Sequence, residues 1–192
     1  DLAAAGTSLE KLKQETTHGI DGKQVSEYFR ITRRYLRSYY AHAYESGKND
    51  RKSFYPVKLP IMPQFRKICA VHARTMMTGG GEGKHVEDSI GMVADWRRAG
   101  SIREVPYSAL VPQEGPGNVL YAGRCIGAAG DAWEVMRVIP AAALTGQAAG
   151  LAAALSLRNG SMPSDLNYEI LAKALRAISV PLHFDELGID RP

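Results

Sequence analysis

The chain has 192 residues, of which 45% are hydrophobic and 23% charged, and its formal net charge is +4. This ordinary globular composition argues against a disordered chain, a collagen or a coiled coil. The length is enough to bury a sizeable core. Four excess positive charges make a weak field, so the composition permits nucleic-acid binding without implying it.

The N-terminal part of the chain has a helical pattern. Thr7 and Glu10 are spaced as a capping box, which predicts a short helix over 7–14, and 18–23 is predicted as a turn. A long amphipathic helix is predicted over 24–44, where apolar residues recur on one arc. The opposite side carries an arginine stripe that is either a solvated face or an anion- or partner-binding face: Arg30, Arg33, Arg34 and Arg37.

The middle of the chain predicts a small antiparallel sheet. Alternating residues predict strands over 66–77, 89–96 and 102–110. Turn residues around 98–100 make antiparallel pairing the simplest arrangement for the last two. The glycines of 79–83 predict a flexible loop between the first strand and the second.

The C-terminal part of the chain predicts a strand, a loop and two helices. The compact apolar run of Asn118–Ala122 predicts a buried strand, and glycine-containing residues 127–131 a loop. A helix is predicted from about Val138 to Leu157, with a proline tolerated in its first turn. A last helix is predicted from Ser164, as N-cap, to about Ile178.

Several absences guide the remaining expectations. Cys69 and Cys125 are too few for a disulfide framework and lack C-x-x-C spacing, so we expect two reduced thiols. No signal peptide is visible, and the apolar run over 140–157 is interrupted by polar residues, so no membrane span is expected. These features favour a soluble, cytoplasmic protein. The absence of an initiator Met suggests part of a longer one.

Small residues line one side of the predicted helix over 138–157. Gly146 and Gly150 are four residues apart and therefore share a face, which predicts close packing against a sheet or a flat ligand. Close packing on a sheet explains these glycines without any ligand. It does not explain why two arginines, Arg124 and Arg137, flank the preceding loop.

The stretch NVLYAGRCIGAAGDAWEVMRVIPAAALTGQAAGLAAAL, from Asn118 to Leu155, resembles the C-terminal flavin-contacting segment of FAD-dependent oxidoreductases. The resemblance is to a bacterial subgroup related to the fumarate reductase and succinate dehydrogenase flavoproteins. Two further blocks are similar to the same subgroup, Met62–Lys67 and His85–Gly91. Together these blocks span roughly half of the chain.

The resemblance implies FAD as the cofactor and a role for named residues around it. Gly123 and Arg124 would lie at the turn beside the ribityl and pyrophosphate groups. Arg137, Val138 and Ile139 would open the helix whose N-terminal amides point at the pyrimidine edge of the isoalloxazine. A reduced flavin gathers negative charge at that edge, and a helix N-terminus stabilises such charge by about 0.3–1 kcal/mol.

Three further residues are candidates for the site. Asp131 and Trp133 lie in the loop before the helix, on the side where a flavin ring would be. Trp133 would stack on or wall off a substrate, and simple packing within the loop is an equally good explanation for it. Asp131 would serve the same site, or it would only pair with an arginine. His85, beside two acidic residues, is the candidate for moving a substrate proton, although a surface histidine is the more common case. No pattern indicates a metal site.

The resemblance has one large departure. The G-x-G-x-x-G loop that holds the FAD pyrophosphate in this family is not found in the chain. We therefore expect a C-terminal part that works with the N-terminal half of the same flavoprotein and a small-molecule substrate. The expected fold is a mixed α+β fragment: a helical segment (1–55), a small antiparallel cap sheet (56–115), the last strand and helix of an FAD-binding Rossmann-like domain (116–160), and a C-terminal helix and tail (161–192).

Two other function classes stay open from the sequence. One is a non-catalytic interaction module that keeps a flavoprotein-like fold without a cofactor. The other is a basic nucleic-acid binder that uses the arginine stripe, but no base-reading motif accompanies that stripe, and no nucleic-acid partner is expected. Visible flavin absorbance separates the enzyme from both alternatives.

Overall fold

The computed structural model describes residues 20–59 and 70–188. The chain divides into two compact units, Asp1–Ile68 and Cys69–Pro192. Within the described residues the secondary structure is four α-helices and one two-stranded antiparallel sheet. This confirms the expected mixed α+β class. The predicted helix over 7–14 and the residue Cys69 lie outside the described residues.

The first unit is organised around one long helix, α1 (Gly22–Glu45). The Asp21 carboxylate caps it by accepting from the backbone N–H groups of Lys23 and Gln24, at 2.9 and 3.4 Å. The helix ends at Ser46, whose N–H bonds back to the carbonyls of the last turn. The predicted helix over 24–44 is therefore confirmed, with the cap three residues earlier. No described residue of α1 is fully buried.

Aromatic rings hold the following segment against the end of α1. The Tyr44 hydroxyl donates to the Phe54 carbonyl at 2.9 Å. The Phe54 ring lies 5.5 Å from the ring of Tyr40 and 6.4 Å from that of Tyr39. Such tilted aromatic contacts each add a modest stabilisation beyond the area they bury.

The second unit begins its core with an antiparallel hairpin, β1 (Ser89–Ala94) and β2 (Ile102–Pro106). Ser89 pairs with Pro106 and Met92 with Glu104, with a bulge between the two pairs. The predicted antiparallel pairing is confirmed. The second strand is shorter than predicted, because Pro106 is followed by a 3-10 turn, Tyr107–Ala109.

The predicted strand over 66–77 is wrong for its described residues. Residues 70–77 form only two isolated bridges, Ala73 with Pro112 and Met77 with Ala128. Their backbone groups bond instead to several separate loops, as where the Arg74 N–H donates to the Val111 carbonyl at 3.0 Å. Alternating side chains alone do not make a strand when no single neighbour runs alongside it.

Three helices complete the second unit: α2 (Gly130–Met136), α3 (Ile139–Asn159) and α4 (Tyr168–Ala177). α3 confirms the helix predicted over 138–157. α4 begins later than predicted, because Asn167 is the N-cap and accepts from the Glu169 N–H at 2.9 Å. Ser164, the predicted cap, lies instead in a 3-10 turn, Pro163–Asp165.

α3 lies at the centre of this unit. It buries one stripe of side chains, and it packs on β1, α2 and α4. That stripe consists of Ala141, Thr145, Ala148, Ala152 and Ser156. By length and composition α3 could also cross a membrane, but the core helix of a globular domain passes the same test.

A glycine allows β1 to lie close to α3. Gly91 has φ +133°, and a Cβ built there would lie 2.8 Å from Leu144 Cδ1 and 3.3 Å from Val180 Cγ1. A side chain here would require Leu144 to shift, and the positive φ strains any residue other than glycine. Next to it, the Ser89 hydroxyl donates to the Leu182 carbonyl at 2.7 Å. The bulge therefore joins the hairpin to both neighbours.

Candidate functional site

The loop that precedes α2 has extended backbone and a 3-10 turn, Gly123–Cys125. Gly123 adopts φ +70°, a left-handed conformation that favours glycine. Its N–H donates to the Thr145 hydroxyl at 2.9 Å. Thr145 lies one and a half turns into α3, so the turn is fixed to the core helix. The Arg124 side chain is exposed beside it.

The strand predicted over 118–122 is wrong for the described chain. Residues 119–122 are extended and half-buried, but they join no ladder among the described residues. The Tyr121 N–H donates to the Leu110 carbonyl at 2.8 Å as one isolated bond. A strand requires a neighbour that continues alongside it, and the described part of the second unit supplies none.

Asp131 is joined to the hairpin by a shared arginine. Arg97 donates to the Asp95 carboxylate through Nε and NH2, at 2.9 and 2.8 Å, and to Asp131 Oδ1 through NH1 at 2.8 Å. These bonds lower the pKa of Asp95 to about 2 and also lower the pKa of Asp131. The arginine pairing that the sequence left open for Asp131 is present. It holds the hairpin turn against the start of α2.

Trp133 is packed in the core of the second unit. Its side chain is almost fully buried, and its indole N–H donates to the Arg124 carbonyl at 3.2 Å. Trp133 therefore packs within the protein, which is one of the two roles that the sequence allows, since a buried ring shows little of its face to solvent. The observed contact positions the turn that carries Arg124.

Arg137 lies at the junction of α2 and α3. Its Nε donates to Glu134 at 2.7 Å, and its guanidinium lies 5.7 Å from the ring centre of Trp96 and 5.9 Å from that of Trp133. The side chain remains about one fifth exposed. Two aromatic faces and a carboxylate therefore hold a cation immediately before α3.

The N-terminus of α3 is exposed and has no side-chain cap. Val138 is the N-cap residue and supplies no capping hydrogen bond, and the first turn contains no acidic residue. Ile139 is 86% exposed. Pro140 has no N–H and Ala141 is fully buried, so the amide that the first turn leaves open is that of Ile139. An open donor at the positive end of a 21-residue helix suits an electron-rich ligand edge.

The predicted close packing of the small-residue face is not found. A Cβ built on Gly146 or Gly150 meets no described atom within 4 Å, and both glycines are exposed. The buried stripe of α3 lies on its other side, so the glycines face outward. We define the open face of α3 by eight of its exposed residues: Ile139, Ala142, Ala143, Gly146, Gln147, Gly150, Ala154 and Leu157.

His85 belongs to a cluster with Glu104 and His183. Nδ1 of His183 lies 3.0 Å from Glu104 Oε2, and Nδ1 of His85 lies 3.7 Å from the same oxygen. The two imidazole rings are 4.5 Å apart. The sequence singled out His85 alone, because these three residues are separated by 19 and by 79 positions. Only the fold reveals that they meet.

An open groove lies on the first unit, with a volume of about 770 Å³. Two members of the arginine stripe, Arg33 and Arg37, line it together with tyrosines such as Tyr40 and Tyr55. Arg33 also lies over the Phe29 ring at 5.1 Å, whereas Arg30 pairs with Glu27 at 2.6 Å. The stripe is therefore divided between a solvated ion pair and the groove wall.

Comparison with known proteins gives one match. A family model described as FAD dependent oxidoreductase matches residues 84–175, just under half of the chain. No curated protein and no solved structure matches. The family match supports an FAD-dependent oxidoreductase, and that family implies FAD as the cofactor. The matched residues include the hairpin, the glycine turn, α2, α3 and most of α4.

The residues present fit one part of FAD. The uncapped N-terminus of α3, with Arg137 beside it, offers a donor and positive charge to an electron-rich ring edge. The described residues contain no glycine loop of the G-x-G-x-x-G type, and the sequence has none elsewhere. The chain therefore fits the isoalloxazine end of the cofactor and lacks the usual cradle for its pyrophosphate.

Proposed function

We propose that this chain is the C-terminal, flavin-contacting portion of an FAD-dependent oxidoreductase that oxidises or reduces a small-molecule substrate. The observation that carries the proposal is the exposed, uncapped N-terminus of α3 inside the segment matched by the family model. A helix of this length leaves its first amides without partners. An electron-rich ligand edge at this position would satisfy the amide of Ile139.

Bound FAD would supply hydride transfer at the flavin ring. The exposed amide of Ile139 would donate to the pyrimidine edge of the ring, and the Arg137 guanidinium would add positive charge nearby. Both favour the reduced cofactor, which gathers negative charge at that edge. Trp96 and Trp133 keep Arg137 in place through their ring faces.

The turn at Gly123 would approach the ribityl side of the cofactor. Its geometry is fixed by the bond to Thr145 and by the indole of Trp133, which holds the Arg124 carbonyl. The exposed Arg124 side chain would then reach a phosphate oxygen. Asp131, held by Arg97, would stay beside the loop as a positioning residue.

The open face of α3 and the unpaired extended residues 119–122 support an N-terminal half as the partner. Both features lie within one unit, and both lack covering elements among the described residues. A neighbouring strand would pair with 119–122, and the same domain would bring the missing pyrophosphate cradle. The role of His85 as the residue that moves a substrate proton stays a prediction.

We propose that two parts of the protein share the binding of FAD, and titration tests this. The 192-residue chain, titrated with FAD in a calorimeter, is expected to show no sub-micromolar binding. The chain with its N-terminal half is expected to take up FAD and show flavin absorbance. Sub-micromolar binding by the chain alone would overturn the division, and no uptake by the combined protein would overturn the flavin function.

A further inference from the structure

The cluster of His85, Glu104 and His183 has the composition of a transition-metal site. It offers two imidazole nitrogens and one carboxylate oxygen, all within 4.8 Å of one another. Nitrogen and oxygen ligands of this kind suit Zn²⁺ and its first-row neighbours, whereas Mg²⁺ and Ca²⁺ prefer oxygen ligands alone. Glu104 comes from β2, His85 from the loop before β1, and His183 from the C-terminal segment.

The distances between the three groups are close to those of a metal-bound set. Bonds of about 2.0–2.2 Å in a tetrahedral arrangement place neighbouring ligand atoms roughly 3.3–3.6 Å apart. The two histidine nitrogens lie 3.0 and 3.7 Å from Glu104 Oε2, which brackets that range. His85 is the most exposed of the three, at 43%, so a small movement of its ring completes the geometry.

Glu104 is buried and accepts hydrogen bonds from the backbone. Its side chain is fully buried, and Oε2 accepts from the Val86 N–H at 2.7 Å while Oε1 accepts from the Phe184 N–H at 3.4 Å. Hydrogen bonds to a ligating carboxylate of this kind orient it toward a metal. Among the described residues, the ion pairs of Glu104 are both to histidines. No lysine or arginine there neutralises this buried carboxylate.

A buried carboxylate without a lysine or arginine partner is costly unless a cation accompanies it. Neighbouring Arg103 does not serve this carboxylate, because its guanidinium pairs with Glu82. A divalent cation between the carboxylate and the two imidazoles would supply the missing charge. The two imidazoles would bind as neutral ligands, each through the nitrogen that faces Glu104 and with its proton on the other ring nitrogen.

We propose that His85, Glu104 and His183 form a binding site for a divalent transition-metal ion of the zinc type. Three protein ligands leave a fourth position open, on the side where His85 is exposed. The bound metal would join the C-terminal segment around His183 to β2. It would stabilise the second unit by reinforcing the contact between His183 and Glu104.

The test measures binding of Zn²⁺ to the full chain after removal of metals with a chelator. Calorimetry is expected to show one Zn²⁺ per chain, and Co²⁺ is expected to give the visible bands of a low-coordinate site. Removal of one of the three ligands is expected to weaken Zn²⁺ binding more than about 100-fold. Substitutions of residues that only support a metal ligand already weaken metal binding by about 10–100-fold. Flavin is not needed for either readout, so the outcome is separate from the proposed oxidoreductase function.

Three variants and one control locate the site. His183→Gln, His85→Ala and Glu104→Gln should each abolish stoichiometric binding, and circular dichroism checks their fold. His72→Ala removes an exposed histidine of the same unit and should leave binding unchanged. His85→Ala changes the most exposed ligand, so it separates loss of the metal from loss of the fold. Absence of Zn²⁺ binding by the wild type, or binding that survives His85→Ala and His183→Gln, would overturn the proposal.

Discussion

The backbone N–H of Gly123 donates to the Thr145 hydroxyl at 2.9 Å, and that hydroxyl donates to the Ala141 carbonyl at 2.7 Å. One buried side chain therefore connects the glycine turn to the first turn and a half of α3. These are the two elements that we assign to opposite parts of the flavin. These two hydrogen bonds fix the relative position of the two elements.

Thr145→Val should destabilise the second unit by about 1–3 kcal/mol, because the shape is kept while the Gly123 N–H loses its acceptor. Chemical denaturation of the full chain measures the change. Thr78→Val, at an exposed position in the same unit, is the matched control and should cost less. Equal costs for both variants would show that the bond from Gly123 to Thr145 contributes nothing specific.

The sequence predicted the local elements and could not predict the contacts that require the fold. The helical period indicated α1, an apolar run with a proline in its first turn indicated α3, and alternation between turns indicated the hairpin. The strand over 118–122 failed because its apolar run has no described neighbour with which to form a ladder. The glycine pattern of α3 showed which residues share a face, and it could not show that this face points outward.

For the candidate site too, the sequence predicted some local positions and missed the contacts between distant residues. Arg137, Val138 and Ile139 lie at an exposed helix start, as the pattern indicated, although their contact with flavin stays a prediction. Trp133 lies within α2 and not in the loop that the sequence predicts. The sequence could not decide its packing, because a tryptophan in a loop serves the core and a ligand equally well. The partners of His85 were not foreseen, since Glu104 and His183 reach it only through the hairpin and the C-terminal segment.

Arg137→Gln should weaken flavin retention in the full-length gene product by about two- to fivefold, since it removes one positive charge beside the start of α3. Glutamine is preferable to glutamate here, because a new carboxylate would lie next to Glu134. Arg158→Gln removes an exposed arginine at the other end of α3 and serves as the control. Equal retention in both variants would place the flavin elsewhere.

Gly146→Ala and Gly150→Ala should each stabilise the isolated chain by about 1 kcal/mol, because alanine favours an exposed helix position. Gly160→Ala should do the opposite, since Gly160 ends α3 at φ +63°, where a Cβ is strained. Thermal melts of the three variants give the signs directly. Destabilisation by the first two would mean that the open face of α3 is covered even in this chain.

The same two substitutions would distinguish this chain alone from a longer protein that carries the proposed N-terminal half. If an N-terminal half covers the open face, the added Cβ atoms would lie in a contact and the stabilisation should shrink or reverse sign. Flavin content, counted in parallel, shows whether the contact includes the cofactor. An identical gain in both proteins would leave the open face without a partner.

Asp95→Asn should remove part of the acid sensitivity of the second unit. Arg97 lowers the pKa of Asp95 from 3.8 to about 2 in the folded protein. A lowered folded pKa contributes stability that is present above about pH 4 and is lost as the pH falls toward 2. The melting temperature of the variant should therefore be lower at pH 7 and depend less on pH in that window.

Asp185→Asn, at an exposed position in the C-terminal segment, is the control for that experiment. It should leave both the melting temperature at pH 7 and the acid profile close to those of the wild type. If the Asp95 variant keeps the full loss of stability between about pH 4 and 2, the Asp95–Arg97 pair does not contribute to acid unfolding.

We assign the segment around α3 to the flavin contact of an FAD-dependent oxidoreductase. The most direct measurement of this assignment is the flavin content of the full-length gene product as purified, by visible absorbance and by identification of the released cofactor. About one FAD for each chain is expected. A colourless protein that also takes up no FAD on reconstitution would contradict the assignment.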